Sequence, residues 1–296
     1  MPVRLVTYSR TGHRRLGALV DNAVVDLPDA VGHPAFPTTM EALVEAGPGG
    51  VEVAREALER PGAIARHTVV AADLLAPILP ASLRSFRGWG PGTAEPDRGH
   101  PPYSTRNHRA ILGPGDDLVW PSFTRELDYE LAVACVVGGH GRDLDREHAG
   151  PLVFGYTLMN DWCAQDVARG EIGCGVGPAK AKDFATSLGP CIATADEVDP
   201  ADLPLEARVD GETWSKGNLG AADWTFADMI ARLSEGEEVL PGDVVGSGTF
   251  AGGSGADLGR SLRPGMVVEL ETEPIGVLRT AIREATASWP GGPSGH

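Results

Sequence analysis

Long apolar runs, clustered cysteines and positive charge are all scarce in this chain, and each shortage removes a class of protein. No apolar stretch approaches the ~20 residues of a membrane span, and the opening residues, MPVRLVTYSRTGHRR, lack the apolar core of a signal peptide. The expectation is a cytoplasmic protein with no membrane partner. Lysine and arginine number 25 against 41 aspartates and glutamates, a net charge of −16 with a pI near 4.9. Such a balance repels phosphate backbones and anionic lipid, so no nucleic-acid partner is expected and a small-molecule substrate is. Only four cysteines occur, Cys135, Cys163, Cys174 and Cys191. They form no CxxC pair and no histidine stands at ligand spacing, which excludes a structural zinc site. Cys163 and Cys174 have no evident activating base or cation in the sequence and are taken as non-catalytic.

What is present is ample apolar material, 42% of the 296 residues, enough for a sizeable core. Residues 3–9 alternate as a strand, and 15–29 read as two strands joined at Asp21-Asn22. Residues 38–60 carry a helical pattern broken by glycine. These make a small N-terminal α+β domain over residues 1–78. Residues 88–105, GWGPGTAEPDRGHPPYST, form a Gly/Pro-rich loop, readable as a lid or binding loop or as plain disorder. Residues 118–138 give one or two strands, and beyond 190 short strands alternate with turns, including a hairpin at Asp210-Gly211. Residues 223–235 read as an amphipathic helix with Asp223 as N-cap. The fold class is α+β, mostly β, with a large domain over 79–286 and a disordered tail at 287–296.

The chemistry concentrates in GYTLMNDWCAQDVARGEIGCGVGPAKAKDFATSLGP, residues 155–190. An apolar run ends in Asn160-Asp161-Trp162, a short helix starts near Gln165, and a glycine-rich stretch leads to Lys180 and Lys182. Asp161 is readable as a helix N-cap or as a functional acid at a strand end. This stretch resembles the core of the fumarylacetoacetate hydrolase superfamily, as do ELDYELAVACVVG at 126–138, PGDVVGSGTF at 241–250 and LRPGMVVELETEPIGVLR at 262–279, in the same order.

The resemblance implies a β-roll or sandwich large domain preceded by a small one, and a homodimer. It also implies a divalent metal, Mg²⁺ or Mn²⁺, held by carboxylates that polarises a dicarbonyl substrate and stabilises an enolate. On this pattern Glu130 and Asp161 are metal ligands, Lys182 and Thr249 join them as catalytic residues, and Gln165, Tyr103 and Trp162 contact substrate. The match is incomplete. Ala132 stands where the second acid of a Glu-x-Glu pair belongs, Ser85 where an aspartate belongs, and Gly92 where a histidine base belongs. Gln165 replaces a carboxylate-binding arginine. The implied metal site is therefore weak or empty unless Glu95, Asp97 or His100 of the 88–105 loop restores it. The expected activity is enolate chemistry on a dicarbonyl-type molecule. C–C hydrolysis is the family default, repurposed here to a metal-independent lyase, isomerase or cyclase reaction in a biosynthetic pathway. The alternative is a silent ligand-binding or scaffold protein of the same fold.

Overall fold

A computed structural model describes residues 3–89 and 99–285. Among them are 21 strands and seven α-helices, an α+β fold dominated by strands. None of these helices is long and apolar enough to cross a membrane. The tail at 287–296 and the positions Gly92, Glu95 and Asp97 lie outside the described residues.

The centre of the fold is Leu131–Val137, sequence LAVACVV, every residue of which is buried. Such a continuous apolar strand needs cover on both faces, and it has it. Leu131, Val133, Cys135 and Val137 join a core with Leu205, Ala207, Val268, Leu270 and Leu278. These last belong to a five-stranded sheet, ordered Glu212–Asn218, Pro204–Val209, Val267–Thr272, Gly276–Arg283, Leu118–Val119. Ala132, Ala134 and Val136 point the other way and pack with Leu43, Val44, Val51, Ala54 and Leu58. Those residues come from the N-terminal helices Met40–Ala46 and Pro48–Glu59, separated at Gly47 with φ 68°.

Leu131–Val137 lies within a 12-stranded sheet. It pairs antiparallel with Val153–Asn160 on one side, Leu131 facing Asn160. On the other it pairs antiparallel with Asp243–Gly246, which runs parallel to Ser82–Phe86 with Gly246 facing Ser85. The strand Arg4–Arg10 pairs with Thr186–Thr194, so this sheet continues across the expected boundary at residue 78. The hairpin turns stand where expected. Asp21 and Asn22 have φ 48° and 64°, and Asp210 and Gly211 have φ 50° and 80°, the paired positive values that suit a right-twisted two-residue turn.

Two local expectations are corrected. The helix after residue 223 is Phe226–Ser234, and its N-cap is Thr225, not Asp223. Thr225 and Asp228 form a reciprocal capping box, which satisfies two orphan N–H groups instead of one. The 88–105 segment is not loop throughout, because Tyr103–Thr105 pairs with Ser82–Phe86 as an edge strand.

Candidate active site

Strand pairing brings the candidate acids together. Glu130 immediately precedes Leu131–Val137 and Asp161 immediately follows Val153–Asn160. The antiparallel register therefore sets them side by side, with the Asp161 N–H donating to the Glu130 carbonyl at 3.3 Å. Ser85 reaches the same place from its own strand, its hydroxyl donating to Asp161 Oδ2 at 2.9 Å. Asp161 caps no helix, since the helix Gln165–Gly173 has Ala164 at its N-cap.

Two cations meet these two carboxylates. Arg106 donates to Asp161 through Nε (2.9 Å to Oδ1, 3.1 Å to Oδ2) and Nη2 (2.9 Å to Oδ2). Lys182 Nζ lies 2.6 Å from Glu130 Oε1 and 3.8 Å from Asp161 Oδ1, and donates to the Asp161 carbonyl at 2.9 Å. Side-chain exposure is 6% for Arg106, 1% for Asp161, 6% for Lys182 and 18% for Glu130. Glu130 is thus the member of the quartet most open to an incoming molecule.

Burial and charge set distinct protonation tendencies. Burial works against the Asp161 carboxylate, but Lys182, Arg106 and Ser85 outweigh it and hold its carboxyl at about 2. Burial pushes the Glu130 carboxyl up, Lys182 opposes the rise, and Asp161 adds to it. Burial likewise works against the charged forms of Lys182 and Arg106. Asp161 and Glu130 more than offset it, so both stay cationic. The arrangement is a locked carboxylate, two fixed cations and one carboxyl whose affinity for protons is raised.

The structure places the remaining candidates around this quartet without joining all of them to it. Thr249 sits in the turn before Gly253, whose carbonyl accepts from Leu131, and its buried hydroxyl has no partner among the described residues. A Cβ at position 253 would lie 2.1 Å from that hydroxyl, so only glycine allows this approach. Gln165 Nε2 donates to Asp128 Oδ2 at 3.2 Å. Tyr103 is exposed, its ring 5.0 Å from that of Phe86, and the next residue, Ser104, accepts from Arg106 Nη1 at 2.7 Å. Trp162, the other candidate for substrate contact, lies among core residues. Trp162 is fully buried and donates to Ser187 at 2.8 Å.

Lys182 pairs with neither Asp183 nor Glu171. Glu171 accepts from the N–H groups of Lys180 and Ala181, and Asp183 accepts from that of Asn107. Cys163 is buried, which pushes its thiol up to about 12. His100 does not restore a ligand set, since it pairs with Glu235 at 3.3 Å. Arg106 escaped the sequence reading, which looked for acids in its neighbourhood.

A hard divalent cation asks for several anionic oxygens at 2.0–2.6 Å. Among the described residues no group of three or more Asp, Glu, His or Cys side chains is placed to hold one. Both oxygens of Asp161 are engaged by Arg106, and Glu130 is held by Lys182. Ala132 lies in apolar core. This donor set does not fit the metal that the resemblance implies.

Residues 82–283 match the family model described as fumarylacetoacetate (FAA) hydrolase C-terminal. The chain belongs to the fumarylacetoacetate hydrolase family. It is 31% identical over 186 residues to the oxaloacetate tautomerase YisK of Bacillus subtilis, a match spanning 62% of this chain and 61% of YisK. It is 30% identical over 267 residues to the human mitochondrial oxaloacetate tautomerase FAHD2A, spanning 83% of this chain and 80% of FAHD2A. Among solved structures, the fumarylacetoacetate hydrolase of Exiguobacterium antarcticum superposes with a TM-score of 0.78 at 25% identity, covering 95% of this chain and 99% of the other. The maleylpyruvate hydrolase from Sphingobium sp. SYK-6 gives 0.74 at 24% identity, covering 95% and 100%, a likeness of fold. The relatives thus bear the names of a tautomerase and of hydrolases, and the site has to decide between such reactions.

Proposed function

We propose that this protein catalyses enolisation of an oxygen-rich dicarbonyl small molecule without a metal, as a keto–enol tautomerase or isomerase. The observation that carries the reading is the Glu130–Lys182 pair at 2.6 Å, the one ion pair of the quartet with a partly exposed carboxylate. Glu130 has a raised proton affinity, which suits a group that takes and returns a proton near neutral pH. In the forward step Glu130 removes the proton from the carbon between two carbonyls. The C–H electron pair becomes the enolate C=C, and negative charge passes to a carbonyl oxygen. Lys182, fixed as an ammonium beside Glu130, stabilises that charge and remains a cation. Transfer of the proton to the enolate oxygen completes the keto-to-enol isomerisation, its return to the carbon gives solvent exchange, and either frees Glu130. Asp161 holds Lys182 and Arg106 in place and stays ionised. Two relatives named as oxaloacetate tautomerases support this class of reaction.

The test is ¹H NMR of solvent exchange and keto–enol conversion in D₂O with EDTA present, across 2-oxo acids and neutral β-dicarbonyls. The expected result is catalysed exchange of at least one compound, slowed by about 10²–10⁴-fold in Glu130→Gln. Metal-dependent C–C hydrolysis as the sole activity would overturn the reading.

A further inference from the structure

We propose that Arg106 is a built-in cation that takes the place of an exchangeable metal ion, neutralising Asp161 permanently and closing the site to divalent cations. The inference deepens the metal-independent reading above and rests on it for its catalytic meaning, but its geometry stands alone.

All three guanidinium nitrogens donate. Nε and Nη2 bind Asp161, while Nη1 donates to Ser104 Oγ at 2.7 Å and to the Thr105 carbonyl at 3.0 Å. The backbone is pinned on both sides of the side chain. The Arg106 N–H donates to Leu83 O at 2.9 Å, two residues before Ser85. Asn107 donates to Asp183 through its N–H and its amide, each at 3.1 Å, one residue after Lys182. A planar fork held this way presents a fixed positive charge with little freedom left to lose.

Charge balance points the same way. Arg106 and Lys182 offset Glu130 and Asp161 one for one. A divalent ion entering beside them would leave a buried excess of two positive charges, which a low-dielectric site resists. The neighbouring positions agree with this exchange. Ser85 gives Asp161 a hydroxyl instead of a third negative charge, and Ala132 gives the apolar core a methyl group. An acid at either place would exceed what one guanidinium neutralises. Arg106 acts through Asp161, so it is a positioning residue. With Asp161 locked as an anion, proton transfer is left to Glu130.

The experiment measures Mn²⁺ binding by calorimetry and by the free-ion EPR signal, with no turnover involved. The native protein is expected to show no binding at millimolar Mn²⁺. Ser85→Asp/Ala132→Glu with Arg106 kept should stay close to that. Adding Arg106→Ala to the pair should tighten Mn²⁺ binding by about 10- to 100-fold over the double variant. In parallel, Arg106→Ala alone should lose thermal stability that methylguanidinium restores and methylurea, its neutral isostere, does not. Saturable Mn²⁺ binding by the native protein would overturn the proposal, as would equal binding by the double and triple variants or equal rescue by the neutral compound. If the variants fail to fold, the native titration still decides. A protein that excludes Mn²⁺ yet shows no enolisation would sink the proposed function and leave the role of Arg106 standing.

Discussion

Arg106 grips both oxygens of Asp161 while the pair is almost wholly removed from solvent, at 6% and 1% side-chain exposure. Removing one partner of a buried ion pair strands the other, which costs about 3–5 kcal/mol. Asp161→Asn should therefore lower unfolding stability by that order in urea titrations. The exposed pair Arg283–Asp117 offers the contrast, since Arg283→Ala should cost less than about 1 kcal/mol. Equal effects of the two changes would mean the Arg106 pair is solvated.

Lys182 opposes the burial that raises the Glu130 carboxyl. Lys182→Met removes that opposition, so Glu130 should bind its proton still more tightly. If ionised Glu130 is the base, the acid limb of the kcat/KM profile moves to higher pH in this variant. A limb that stays in place would assign the base to another group.

Asp161 is the reverse case. Its folded carboxyl is depressed from 3.8 to about 2. Its contribution to stability is whole above the unfolded value and is lost as pH falls through the folded one, a window of roughly pH 4 to 2. The shift corresponds to an amount on the order of 2 kcal/mol. The stability gap between the native protein and Asp161→Asn should thus be constant near neutrality and shrink across that window. A gap unchanged at the lowest pH where folding persists would contradict the assignment.

The sequence announced the framework better than the site. Leu131–Val137 was legible because a strand covered on both faces must be apolar at every position, and the Asp21-Asn22 and Asp210-Gly211 turns because few residue pairs tolerate positive φ. Glu130, Asp161 and Lys182 were named through the family resemblance, and antiparallel register explains why they meet. Arg106 was not legible. Its partner Asp161 lies 55 positions further on, and no local period records a contact of that span. The Thr225 cap had a signal, an acid three residues on, which the more prominent Asp223 obscured.

Phe250 departs from its neighbours in the turn by its bulk, and one glycine makes room for it. A Cβ at Gly217 would lie 2.3–2.7 Å from the Phe250 ring, which also meets Trp89 edge-on at 5.9 Å. Gly217 lies in the strand Glu212–Asn218 and is not among the glycines with positive φ, so alanine meets no backbone strain there. On backbone grounds alone, Gly217→Ala would stabilise by about 0.4–1 kcal/mol. The steric contact reverses the sign, and the change should instead destabilise by about 1–3 kcal/mol. Because the ring adjoins Thr249, displacing it should also disturb the turn beside Glu130 and reduce activity. Phe250→Ala made together with Gly217→Ala should relieve the clash, giving a coupling of about 0.5–3 kcal/mol in a double-mutant cycle. Additive losses, or a stabilised Gly217→Ala, would show that the ring is not seated against this glycine.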